Sequence, residues 1–276
     1  MPLTLDRQNA YRARYADLHP GWRPATVVYE ALVRAALALD QRPTLLDMGC
    51  GRGGVLEQLA EPVNELTGVD HWPIGIDPDF DSLREHRLLD LTRAVALADA
   101  IPLQAASVDV AISAWVLEHL PDPVRTFREV GRVLRPGGAF VFLAPNKNSP
   151  AALVNRVLHP LQDVLVPLLY GRAEADTFPV VYRANTRSQI AGLAEAAGLT
   201  LETFHAIDDP TYFAFNEPLF WLSRQVTRLL PASQAVHIVG VCRKPPQGDS
   251  HPALSAQNDR QATMDASKRF TKRNGA

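Results

Sequence analysis

From the N-terminus to Lys244, short apolar or β-branched runs alternate with stretches whose apolar positions recur at helical spacing. That alternation is the pattern of a mostly parallel sheet covered by helices. The first helical stretch covers Asp6 to Leu39, and Pro20 and Pro24 divide it into two helices. Strands are predicted at Thr44–Met48, Pro73–Asp77, Ala94–Ala98, Val108–Ala114 and Ala139–Ala144. A helix begins near Val55, another pattern covers Asp81 to Arg87, and a third runs from Val124 to Leu134, where Gly137 and Gly138 suggest a left-handed cap. A final strand falls near Ala235 to Cys242.

Composition narrows the classes. The chain has 276 residues and is 46% hydrophobic, enough for a packed core. With 28 Lys and Arg against 30 Asp and Glu, the net charge of -2 provides no basic excess for counterion release from a nucleic acid, so no nucleic-acid partner is expected. Cys50 and Cys242 are too few for a disulfide framework or a tetrahedral metal site, which points to a reducing cytoplasm and to no metal. The N-terminus lacks the apolar core of a secretory signal. The most apolar stretch, Ala151 to Tyr170, is broken by Asn155, Arg156, His159, Gln162 and Asp163, so no membrane span is expected. Residues 245–276 are rich in polar, Pro and Gly positions and read as a disordered tail.

The chemistry concentrates at a strand-to-helix junction, Asp47-Met48-Gly49-Cys50-Gly51-Arg52-Gly53-Gly54. Glycines there let the backbone turn sharply and approach a ligand closely. The spacing also satisfies G-x-G-x-x-G, but an acidic residue beside the loop repels a pyrophosphate and suits a cationic amino group. The run resembles the D-x-G-x-G-x-G signature of class I S-adenosylmethionine (SAM) dependent methyltransferases of the small-molecule, type 11-like group. Ala98-Asp99-Ala100-Ile101-Pro102, Val116-Leu117-Glu118-His119-Leu120-Pro121-Asp122-Pro123 and Val133-Leu134-Arg135-Pro136-Gly137-Gly138 match at the expected places. The resemblance is strong from Thr44 to Asn146 and weaker from Asp176 to Lys244. It implies a Rossmann-like, doubly wound seven-stranded sheet with the last strand antiparallel and helices on both faces. The implied organisation is an N-terminal helical cap (1–42), a methyltransferase domain (43–244) and the tail (245–276).

The same resemblance assigns roles. Asp47, Gly49, Gly51 and Gly53 are expected at the methionine end of SAM. An acidic residue at the end of the second strand should hold the ribose; Asp77, followed by a helical pattern, is preferred over Asp70. Asp99 should accept the adenine amino group, with the Ala100 amide meeting a ring nitrogen. Cys50 reads as a packing residue.

His119 is the candidate general base, because imidazole titrates near neutrality and a Glu-His pair lies near the acceptor in relatives that methylate hydroxyls on lipophilic rings. Residues 147–180 read as a helical lid or acceptor insertion, which could also touch a membrane surface. The arginines Arg12, Arg14 and Arg23 offer a contact for the SAM carboxylate. The expected activity is methyl transfer to a small, apolar or lipid-linked molecule. A non-catalytic SAM-binding protein and a nicotinamide oxidoreductase are the alternatives. Neither the acceptor nor the oligomeric state is encoded in any motif.

Overall fold

The structure is a computed structural model that describes residues 3–38, 43–54, 56, 73–158 and 180–246. Contacts divide the chain into Met1–Pro245 and Pro246–Ala276. The expected helix from Val55, the alternative ribose ligand Asp70, the second half of the 147–180 segment and the tail beyond Pro246 lie outside the described residues.

Seven strands form one sheet: β1 (Leu45–Met48), β2 (Ile74–Asp77), β3 (Thr92–Val95), β4 (Val108–Ala114), β5 (Leu134–Pro145), β6 (Thr200–Ile207) and β7 (His237–Arg243), in the order β3-β2-β1-β4-β5-β7-β6. All pairs among β1 to β5 are parallel, while β7 runs antiparallel to both β5 and β6. The order therefore reverses between β1 and β4, and open sheets of this kind place ligands at such a reversal, beyond the carboxyl ends of the strands.

Both faces of the sheet are buried, and the alternation along β5 shows how. Phe140, Phe142 and Ala144 enter one core cluster, and Ala139, Val141 and Leu143 enter the other. Helix α1 (Leu5–Leu18) and helix α2 (Ala25–Leu37) come first, separated by the Pro20 to Pro24 segment as the sequence predicts. The buried positions Ala25, Tyr29, Val33 and Ala36 of α2 recur every three or four residues and cover the second cluster. Short helix α3 (Phe80–Arg84) is capped by Asp79, which accepts from the amides of Asp81 and Ser82.

Helix α4 (Pro123–Val133) begins with Asp122 as cap and Pro123 in the first turn, and packs Phe127, Val130 and Val133 into the first cluster. Helix α5 (Pro150–Leu158) follows β5. Helix α6 (Arg187–Ala196), capped by Thr186, adds Ile190 and Ala194 beside α4. Helix α7 (Glu217–Leu229) buries Phe220 against Tyr11 of α1, with ring centroids 4.9 Å apart.

Strand β5 begins at Leu134, before the expected Ala139, and β6 runs where no strand is predicted. Two further sequence expectations shift. The third strand covers Thr92–Val95 instead of Ala94–Ala98. It is an edge strand paired only with β2, and after Ala96 donates to the Asp77 carbonyl the chain leaves the ladder to wall a cleft. The end of α4 differs too. No left-handed residue follows the helix directly; Leu134 is already extended, and Gly137 adopts φ +83° three residues later. The terminal carbonyls find other donors: the Lys244 ammonium donates to Gly131 O at 2.6 Å and Leu134 O at 2.7 Å, and the Ala106 and Ser107 amides donate to Arg132 O and Val133 O at 2.9 Å.

The tightest point of the sheet lies at Gly240, between β5 and β6. A Cβ there would sit 2.5 Å from Thr203 O and 2.6 Å from Phe142 Cζ. Gly240→Ala is therefore expected to destabilise the protein by about 1–3 kcal/mol through overpacking. A denaturant midpoint equal to that of the unsubstituted protein would contradict this packing.

Candidate active site

The loop after β1 is pinned to the end of β2. The amides of Gly49 and Cys50 both donate to Ile76 O, at 2.8 and 3.2 Å, and the Gly51 amide donates to Asp77 Oδ2 at 2.9 Å. The other Asp77 oxygen accepts from the Asp79 amide at 2.8 Å. Gly49 and Gly51 both have positive φ, but for different ends. A Cβ on Gly49 would collide with Val116 Cγ2, whereas a Cβ on Gly51 would meet nothing within 4 Å. Gly49 is thus required by packing, and Gly51 leaves open space on the ligand side. Gly53 also has positive φ, at +114°, and donates to Cys50 O.

That space belongs to a cleft of ≈ 800 Å³ at the β1/β4 reversal. Its wall brings together Gly49, Gly51, Asp77, Asp99 and His119, five of the residues expected from sequence. Asp99 lies 3.8 Å from Arg125 Nε. The Ala100 amide donates to Leu97 O at 3.0 Å, and Ala100 is exposed beside the cleft, not part of its wall.

Asp47 stands behind the loop on β1, 8% exposed and outside the cleft wall. Burial first, and the Asp77 charge second, push its carboxyl up to about 7. Cys50 is buried and packs towards Gly75, with its thiol pushed up by burial, which fits a packing residue.

Glu118 and His119 lie on a 3-10 turn at Leu117–His119 after β4. The Glu118 carboxyl is buried and pushed up to about 8, and its Oε2 has no hydrogen-bond partner among the described residues. Its Oε1 lies 3.8 Å from His119 Nε2, and the His119 side chain is 26% exposed on the cleft wall. The turn is held from outside: the Val181 and Tyr182 amides donate to Glu118 O at 2.7 and 3.2 Å, and Arg183 donates to Pro121 O.

On α1, Arg12 is committed to Asp209 at 2.8 Å and Arg14 to Glu217 at 2.6 Å, so the N-terminal arginines sit in ion pairs or on the outer surface. Sequence reasoning passed over Trp115, the residue after β4. It has φ +61°, and its ring lines both the cleft and a second, smaller cavity. The available signal was an aromatic residue immediately beyond the carboxyl end of a central strand. Among the described residues no group of three or more His, Cys, Asp or Glu is arranged to hold a metal ion.

Residues 46–142 match a family model described as a methyltransferase domain. The chain is 29% identical over 161 residues to a sterol 4-C-methyltransferase of Caenorhabditis elegans, covering 54% of this chain and 48% of that one. It is 30% identical over 154 residues to a ubiquinone biosynthesis O-methyltransferase of Serratia proteamaculans, covering 52% and 61%. The chain spans about half the length of the curated relatives it matches. Among solved structures, a putative sarcosine dimethylglycine methyltransferase from Galdieria sulphuraria superposes with a TM-score of 0.54 at 14% identity, over 80% of this chain and 85% of that one. Residues 46–142, which supply most of this cleft, thus carry a methyltransferase domain of the SAM-dependent kind, whose cofactor is SAM.

Two binding measurements follow. Gly51→Val should fold but bind SAM at least tenfold more weakly, because the new side chain combines positive-φ strain with loss of ligand space. Unchanged calorimetric affinity in a folded variant would remove the loop from the site.

Asp47 provides the second. With its carboxyl at about 7, it is largely protonated at mildly acid pH, and a cationic amino group brought near it favours the ionised form. SAM binding at about pH 6 should therefore release protons, seen as a dependence of calorimetric heat on buffer ionisation enthalpy. Asp47→Asn should abolish that dependence; its persistence would assign the protons to another group.

Proposed function

We propose that this protein transfers the methyl group of SAM to a small, largely apolar or lipid-linked acceptor in the cytoplasm. The observation that carries this reading is the cleft at the strand reversal, where the glycine loop and two carboxylates share a wall with His119. Its volume, ≈ 800 Å³, is within the range of small-molecule sites. The named relatives support this reading, one being a sterol 4-C-methyltransferase and the other an O-methyltransferase of ubiquinone biosynthesis.

SAM supplies an activated methyl on a positively charged sulfur, so the protein's task is chiefly alignment. In this reading Asp77 accepts from the ribose hydroxyls and Asp99 from the adenine amino group. The Gly49 to Gly53 backbone lies along the methionine part, with Asp47 behind it to favour the amino group. Ala100 can join the adenine contact only if its amide shares or leaves Leu97 O. His119 is the first candidate on the cleft wall to take the acceptor's proton, its neighbour Glu118 being mostly protonated at neutral pH.

The acceptor side would be built from the N-terminal helices, residues 147–180 and residues 208–222. Two buried, unpaired cysteines suit a reducing compartment. No described helix is long and apolar enough to cross a membrane. Exposed Leu153, Val154 and Val157 on α5 would let the start of the lid meet a lipophilic molecule. The net charge of -2 favours neither DNA nor RNA as acceptor.

Two experiments test the reading. Asp77→Ala should weaken SAM binding more than Asp70→Ala does, because hydrogen bonds to a charged acceptor contribute about 1.5–3 kcal/mol each. Radiolabelled methyl transfer into cell extract, partitioned between organic phase, water and macromolecular precipitate, reads the acceptor class. Label in the organic phase is expected; label confined to protein or nucleic acid would overturn the acceptor class, and SAM binding with no transfer would make the protein a non-catalytic SAM binder.

A further inference from the structure

A second cavity of ≈ 370 Å³ adjoins the cofactor cleft at the same edge of the sheet, and the Trp115 ring lines both. It lies between α1, the start of α2, the 3-10 turn at Pro210–Phe213 and the first residue of β7. Its charged groups are already spent on one another. Arg12 pairs with Asp209 at 2.8 Å, and Asp209 accepts further from the Thr211 amide and hydroxyl. Leu5, Pro24, Ala25 and Trp115 supply apolar wall.

Beside the polar side chains of Gln8 and Thr26, the wall carries one buried group with an unpartnered nitrogen. His237 is 3% exposed, with Nε2 3.0 Å from the Tyr212 hydroxyl, while its Nδ1 has no hydrogen-bond partner among the described residues. The Trp115 and Tyr212 rings hold the imidazole edge-on at 5.1 and 5.4 Å. Burial depresses its pKa to about 4, so it stays neutral at physiological pH. An aromatic-walled chamber with its ion pair closed and a neutral imidazole nitrogen to satisfy suits an uncharged, ring-sized molecule that carries a hydroxyl.

We infer that this chamber receives the methyl acceptor, a ring-bearing alcohol or phenol, and that His237, in place of His119, meets its hydroxyl, with Trp115 forming the wall past which the methyl is delivered. The inference rests on the methyltransferase reading above. In the transfer the hydroxyl O–H bond breaks and its proton passes to His237 Nδ1. The oxygen's electron pair forms the bond to the methyl carbon as the carbon–sulfur bond breaks, its electrons remaining on sulfur. Tyr212 is a positioning residue that fixes the ring through Nε2.

The test uses the full chain saturated with S-adenosylhomocysteine, with 2-naphthol as probe and naphthalene as its hydroxyl-free counterpart, both followed by equilibrium dialysis. The unsubstituted protein should bind 2-naphthol at one site. His237→Phe, which keeps an aromatic ring but no nitrogen, should weaken 2-naphthol at least tenfold and leave naphthalene within about twofold, a split that general loosening would not produce. Thr26→Trp, on the exposed rim of the chamber, should weaken both probes while S-adenosylhomocysteine affinity is kept. Normal S-adenosylhomocysteine binding with no 2-naphthol binding, or with equal binding in both variants, would overturn the chamber and leave the methyltransferase reading intact. Failure to bind S-adenosylhomocysteine at all would overturn both.

Discussion

The site depends on one close approach: the glycine loop after β1 lies against the end of β2 and the residue two beyond β4. Ile76 O holds two consecutive loop amides, Asp77 holds a third, and Val116 occupies the volume a side chain on Gly49 would need. These contacts join three segments that meet only because the strand order reverses between β1 and β4. The carboxylate that receives the Gly51 amide is also the one proposed to hold the ribose. Its position is therefore set by the backbone before a ligand arrives, and the cost of ordering the loop is met by folding.

Burial gives the rest of the site its electrostatic character. Asp47 and Glu118 are pushed up to about 7 and about 8, and His237 is pushed down to about 4, in each case mainly because the charged form is poorly solvated. The two carboxyls hold protons more tightly folded than unfolded, so their contribution to stability is lost as pH rises through those values. His237 acts in the opposite sense: its contribution is present above the ordinary imidazole value of 6.5 and is lost as pH falls towards about 4. A ligand that brings a positive charge to the carboxyls would favour their ionised forms, and a hydroxyl would satisfy the unpartnered imidazole nitrogen.

Local patterns revealed most of the frame. The boundaries of β4 and the two N-terminal helices are legible because Val108–Ala114 is a mainly apolar run broken by Asp109 and Ser113, and Pro20 and Pro24 separate two helical stretches. The glycine loop and Asp77 are legible because each stands at a strand end, whereas Asp99 lies four residues beyond the end of β3. The shortening of β3 is not, since an edge strand is terminated by its single neighbour and by the loop it must supply to the cleft. Nor could the sequence show Lys244 closing a helix that ends at Val133, a contact spanning more than a hundred positions. The second cavity was hidden for the same reason: Arg12, Trp115, Asp209 and His237 share no local motif and converge only through the sheet.

The reversed direction of β7 has a practical consequence. Its first residue, His237, pairs with Pro145 at the carboxyl end of β5, while its last, Arg243, pairs with Ala139 at the other end. The chain thus contributes an imidazole to the rim at the carboxyl end of β5 on entering the sheet and exits on the opposite rim, where Lys244 is stitched to Gly137 and Gly138. A surface linker or reporter grafted directly after this lysine would be anchored a full strand length from the mouth of the cleft. The fold thereby separates the place where a fusion can be joined from the place where small molecules enter.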